Sequence, residues 1–271
     1  MSIVFKPFLS TLTISVCALF FSAIAAQATA YTLDTTVTGA SVNINGALFN
    51  ESAISSGSGA YTSLFRIQAS GTEAGYNYAG GTQPFDQVGG VGVLHVDLGA
   101  LPVVTIAGTN YVQFHFDANN QAGLTFTDFR VFQHSDPTNL DPKILVTSEA
   151  NLGNLGTLVY SMLGTNAGGT NTLALTAFKS GSGTDDMSIN IPLANFLIAG
   201  WSLNDDISVF MKMTNATGGF EELAYIQGTG TTVSTVVPEA HTVWGGGALV
   251  AGLLVGCAVQ RRRKRAAAAT A

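Results

Sequence analysis

From Tyr31 to Gln227 the chain never repeats its apolar residues at three- and four-residue spacing over a useful length. Short runs of alternating apolar and polar residues recur instead, between clusters of Gly, Asn, Thr and Ser. A period of two places successive side chains on opposite faces of an extended backbone, so this region must build sheets with one packed and one polar face. The clearest runs are Gly92 to Leu98 (GVLHVDL), Tyr111 to Asp117 (YVQFHFD) and Leu124 to Gln133 (LTFTDFRVFQ). In the second, Val112, Phe114 and Phe116 share one face, while Gln113, His115 and Asp117 share the other. Further candidate strands are Ser41 to Phe49, Leu64 to Ala69, Val103 to Ile106, Thr157 to Met162, Thr172 to Phe178, Met187 to Ile191, Ile207 to Met213 and Leu223 to Ile226. Segments of this number and spacing predict an all-β fold, a two-sheet antiparallel sandwich that is jelly-roll-like rather than an up-and-down barrel. No fixed-spacing repeat supports a propeller or a solenoid.

Charge separates the ends from the middle. All seventeen acidic residues fall between Asp34 and Glu239, where only Arg66, Arg130, Lys143, Lys179 and Lys212 oppose them. An acidic middle of this kind excludes a nucleic-acid-binding surface, and 46% apolar residues with 10% charged exclude a disordered chain. The two cysteines, Cys17 and Cys257, both lie in apolar terminal runs, so the middle is expected to fold without disulfides. At about 200 residues it is large enough to do so.

Met1 to Ala30 reads as an export signal. Lys6 supplies the positive start, Ile14 to Ala26 the apolar core, and Ala28-Thr29-Ala30 the small-residue site, which predicts cleavage before Tyr31. At the other end Val243 to Val259 is uncharged and is followed, after Gln260, by Arg261, Arg262, Arg263, Lys264 and Arg265. A helix of that length is about 25 Å long, near the minimum for one membrane crossing, and the basic cluster places the tail on the cytoplasmic side. The expected organisation is a signal (1–30), an ectodomain (31–227), a linker (228–236), a C-terminal element (237–265) and a short tail (266–271).

Directly before the apolar run stand Val237, Pro238, Glu239 and Ala240. The order of Pro-Glu motif, apolar helix and arginine cluster resembles the PEP-CTERM sorting signal of Gram-negative bacteria, with Ala240 where that family usually has a second proline. The resemblance implies an exosortase as partner: the chain is held in the inner membrane, cut near Pro238-Glu239, and passed to the cell surface or extracellular matrix. The middle carries a second resemblance. Asp117 to Phe132, then Gly181-Ser182-Gly183-Thr184-Asp185-Asp186-Met187, then Gly218-Gly219-Phe220-Glu221-Glu222 are similar to the β-rich ectodomain common among PEP-CTERM proteins. That likeness implies a fold and a location and no catalytic activity.

Several residue sets are candidates for chemistry. Acidic pairs stand at Asp185-Asp186, Asp205-Asp206 and Glu221-Glu222; carboxylates and loop carbonyls at one end of a sandwich could hold calcium, with Asp185, Glu221 and Glu222 the first candidates. The same residues would equally cap turns and keep the surface soluble. Paired carboxylates also raise glycoside hydrolysis as the least favoured, enzymatic alternative. His95 with Asp97 and His115 with Asp117 occupy polar faces of two runs, and neighbouring strands would bring both histidines to one metal. Tyr76, Tyr78 and Trp201 are candidates for a sugar-stacking platform, with Gly75 to Gly90 as an exposed binding loop. The motifs of serine hydrolases, zinc peptidases, P-loops and dinucleotide-binding folds are absent. The sequence therefore predicts a non-enzymatic surface or matrix protein, acting in structure or adhesion and associating with exopolysaccharide. A carbohydrate-binding, calcium-dependent jelly roll is the alternative; no other cofactor is expected.

Overall fold

The computed structural model describes residues 28–54, 61–78, 80, 83–89, 95–119, 123–135, 144–164, 169–179, 184–197 and 201–226. The core of the export signal, the linker, the Pro-Glu motif, the apolar run and the basic cluster lie outside the described residues. The chain divides into two units, Met1–Gly230 and Thr231–Ala271, and everything described belongs to the first. Among the described residues no helix is long and apolar enough to cross a membrane.

Thirteen strands are described. In chain order the first seven are β1 (Ala30–Asp34), β2 (Ser41–Ile44), β3 (Ala47–Glu51), β4 (Tyr61–Ile67), β5 (Ser70–Tyr76), β6 (Val103–Ile106) and β7 (Thr109–Ala118). They are followed by β8 (Leu124–His134), β9 (Thr157–Ser161), β10 (Thr172–Ala177), β11 (Met187–Pro192), β12 (Asp206–Thr217) and β13 (Glu221–Ile226). The first sheet has the order β1-β10-β8-β12-β5, with β9 also on β8; the second has β2-β3-β11-β7-β13-β4, with β6 also on β7. All pairings are antiparallel except β1 with β10, which is parallel.

The two orders match position by position. Apart from β9, each strand of the first sheet has its chain neighbour at the same place in the second: β10 and β11, β8 and β7, β12 and β13, β5 and β4, and β1 with the β2–β3 hairpin. The registers put these five crossings at one end of the molecule, because Asp34 pairs with Ala177, Leu175 with Leu124, Thr214 with Thr125, and Thr217 with Ser70. Residues from five distant parts of the sequence therefore meet at this crossing end.

The core between the sheets follows from the alternation. Phe49, Phe114 and Phe116 from the second sheet meet Phe126 and Phe129 from the first, with ring centroids 4.8 Å apart for Phe116 and Phe126 and 6.2 Å for Phe49 and Phe129. Each such side chain contributes about 1.5–3 kcal/mol by leaving water. Phe126 and Phe129 are three apart yet both face inward, because the register of β8 against β12 slips between Lys212 and Met213 and leaves Thr127 as a bulge. Beyond the bulge Asp128, Arg130, Phe132 and His134 take the outer face.

That outer face carries a second apolar cluster. Ala74, Tyr76, Phe132 and Phe210 are covered by Tyr78, Val146 and the 3₁₀ stretch Glu149–Leu155, which contributes Leu152 and Leu155. The Tyr76 hydroxyl donates to the Ile144 carbonyl and accepts from the Val146 amide, both at 2.8 Å, and so fixes this covering segment.

Three sequence expectations are corrected. Ser41 to Phe49 is not one strand but the β2–β3 hairpin, turned at Asn45 and Gly46 with φ of 51° and 90°. In Gly92 to Leu98, the described residues hold only an isolated bridge at Asp97 before a 3₁₀ turn at Leu98–Ala100. Gly75 to Gly90 is not an open binding loop. Its start completes β5, and Asp86, Gln87 and Val88 fold back to pair with Ala74, Ile67 and Arg66.

Candidate functional site

The crossing end is organised by carboxylates. Asp186 accepts from the Lys179 amide at 2.8 Å, the Ala118 amide at 2.9 Å and the Thr35 hydroxyl at 3.4 Å, and thereby ties together three of the five crossings. Burial pushes its carboxyl above the usual range, opposed by the Lys179 and Ala118 amides. Asp185 accepts from the Ile54 amide through one oxygen and meets His115 Nδ1 at 2.6 Å through the other. Lys179 bridges to Glu51 at 2.6 Å and donates to the Ser52 carbonyl, which holds the Glu51 carboxyl below its usual range.

Glu221 and Glu222 are neighbours on β13 and so point in opposite directions. Glu222 faces outward and pairs with Arg66 at 2.9 Å. Glu221 is fully buried and faces Glu73, which reaches it from β5 in the other sheet. Burial pushes both carboxyls up. The neighbouring Glu221 adds to the effect at Glu73, which is raised to about 9. Two carboxyls this close in an apolar setting cannot both ionise, so the pair holds a proton. Asp185, Glu221 and Glu222 therefore do not converge: one is bound to His115, one is inside and one is outside. The three carboxylates that the sequence offered for calcium are thus not brought together.

The outer face of the second sheet carries a polar row. His115 Nε2 lies 3.2 Å from Gln113 Oε1, Gln113 donates to Asn190 at 2.9 Å, and Asn190 donates to the Leu48 carbonyl at 3.2 Å. Tyr61 packs its ring 6.3 Å from that of His115, and burial followed by the negative charge of Glu222 and Asp117 pushes its hydroxyl well above the usual range.

His95 and His115 do not meet. His95 belongs to a separate cluster on the outer face of the first sheet, with its Nδ1 3.0 Å from Asp206 and its Nε2 3.2 Å from Asp97. One ligand atom from each of His95, Asp97 and Asp206 lies within 4.8 Å of the others, the one such group of His, Cys, Asp or Glu among the described residues. Two backbone hydrogen bonds position it: Ile207 donates to Val96 at 3.0 Å and Leu98 to Asp205 at 2.9 Å. The sequence singled out His95, Asp97 and the Asp205-Asp206 pair separately. Their meeting depends on a pairing between positions 97 and 206 that local pattern does not encode.

Tyr76 and Tyr78 are 1% and 7% exposed and offer no ring face to a sugar, while Trp201 is half-buried in a different segment. The two tyrosines lie instead inside the apolar cluster, with ring centroids 5.8 Å apart and planes tilted by 51°. Asp205 likewise serves a turn, accepting from the Ser202 amide at 3.0 Å and from Gln133 at 2.7 Å.

Compared with protein-family models, with curated proteins and with solved structures, the chain gives no significant match.

Proposed function

We propose that this chain is an exported β-sandwich protein, sorted through its C-terminus to the cell surface or extracellular matrix, where it acts by adhesion or matrix association rather than catalysis. The observation that carries the reading is the ordered set of Val237-Pro238-Glu239-Ala240, the uncharged run Val243 to Val259 and the basic cluster Arg261 to Arg265. A short apolar span with a positive stop holds a substrate in the plane of the bilayer, and a proline-containing segment beside it offers extended backbone to a membrane-embedded exosortase.

The ectodomain is compatible with that role. Its sheets close without cysteine, and its acidic residues at the crossing end are engaged as hydrogen-bond acceptors for loop amides. The finer reading of the sandwich as jelly-roll-like rests on the matched strand orders, in which ribbons of paired strands roll across both sheets. Replacement of Pro238 and Glu239 by alanine tests the proposal in the native host. The expected result is that the variant accumulates uncut in the inner membrane while the wild type reaches the surface or matrix fraction. Equal delivery of both would overturn it.

A further inference from the structure

We infer that His95, Asp97 and Asp206 form a binding site for a first-row divalent cation of the zinc class. Directly opposed residues in neighbouring strands share a face, and Asp206 is opposed by Asp97 on one side and by His134 on the other. Three adjacent backbone segments therefore present Asp97, Asp206 and His134 in line, and His95, two residues before Asp97, stands on the same face.

The distances fit a metal ligand set. Two ligands of one zinc ion, each about 2.1 Å from it, lie roughly 3.0–3.4 Å apart, and His95 Nδ1 is 3.0 Å from Asp206. The other ring nitrogen of His95 is 3.2 Å from Asp97 Oδ1, which takes no hydrogen bond there and is open to a cation as a further ligand. His95 Nδ1 and Asp97 Oδ1 supply an independent sign: both are shielded from water and make no hydrogen bond. Ligand atoms without hydrogen-bond partners at this place are available to a cation.

One imidazole with two carboxylates suits a borderline cation, whereas calcium takes six to eight oxygens. Access is open from one side, since Asp206 is buried but His95 and Asp97 are about one-third exposed, with side-chain exposures of 32% and 35%. A bound ion would fasten the segment around Asp97 to the start of β12, which two backbone hydrogen bonds now hold.

The test uses the full, untagged chain in detergent, stripped with a chelator. Zinc is titrated by calorimetry, and cobalt(II) is followed by its visible absorption. The expected result is one saturable site per chain with the intense cobalt bands of a four-coordinate site. Loss of affinity should be about tenfold or more in His95→Gln, Asp206→Asn and Asp97→Asn. His241→Ala, outside the site, should bind as the wild type does. Circular dichroism of the stripped variants separates loss of a ligand from loss of the fold. Absence of saturable binding at micromolar ion would overturn the proposal, as would wild-type affinity in folded His95→Gln or Asp206→Asn.

Discussion

Asp186 and the Glu73–Glu221 pair are buried carboxyls at the crossing end with different partners. Asp186 satisfies two buried amides and a hydroxyl from three crossings, so its removal strands donors that each cost about 1–3 kcal/mol. Asp186→Ala is expected to destabilise the sandwich by roughly 2–4 kcal/mol in chemical denaturation, and Asp186→Asn by less, because one acceptor oxygen remains. Glu73 is buried against a second carboxyl instead. Its folded-state value of about 9 lies above the ordinary 4.5, so between these limits the folded chain holds a proton that the unfolded chain has released. Its contribution is fully present below about pH 4.5 and is lost as pH rises toward 9. Denaturation curves at pH 5 and pH 8 should show the wild type weakening across that interval. Glu73→Gln should flatten the dependence and be about 1–2 kcal/mol more stable at pH 8; an unchanged pH dependence would refute the shared proton.

Strands were legible where alternation was long, as in β7, and obscure where packing rather than pattern made the strand. β5 (SGTEAGY) has two glycines and little apolar alternation, yet it pairs along seven residues of β12. Gly75 is required there because a Cβ would run into Ile67 of β4, and Gly75→Ala is expected to cost about 1–3 kcal/mol in the same denaturation assay. The β2–β3 hairpin did have a signal, Asn45-Gly46, since two successive positive-φ residues suit the tight turn between twisted strands. Asn45 further donates to the Ser161 and Met162 carbonyls, at 3.1 and 2.7 Å, and ties that hairpin to the end of β9. Candidate sites were less legible than strands. Acidic pairs are visible in sequence, but whether they converge depends on faces and registers, and neighbours such as Glu221 and Glu222 necessarily diverge on a strand.

At the scale of the whole molecule, five crossings gathered at one end explain why the acidic loop residues are structural. They also show where the folded unit begins. Thr29 donates from its amide to Asn171 at 3.1 Å and accepts from the Thr172 amide at 3.0 Å, and Ala30 opens β1. The cleavage before Tyr31 that the sequence predicts would remove the pairings of Thr29. The most direct measurement is the intact mass of the protein from surface, matrix and inner-membrane fractions of its native host. The account predicts a surface or matrix species that lacks the signal and ends near Pro238 or Glu239. A species still carrying Arg261 to Arg265, confined to the inner membrane, would contradict it.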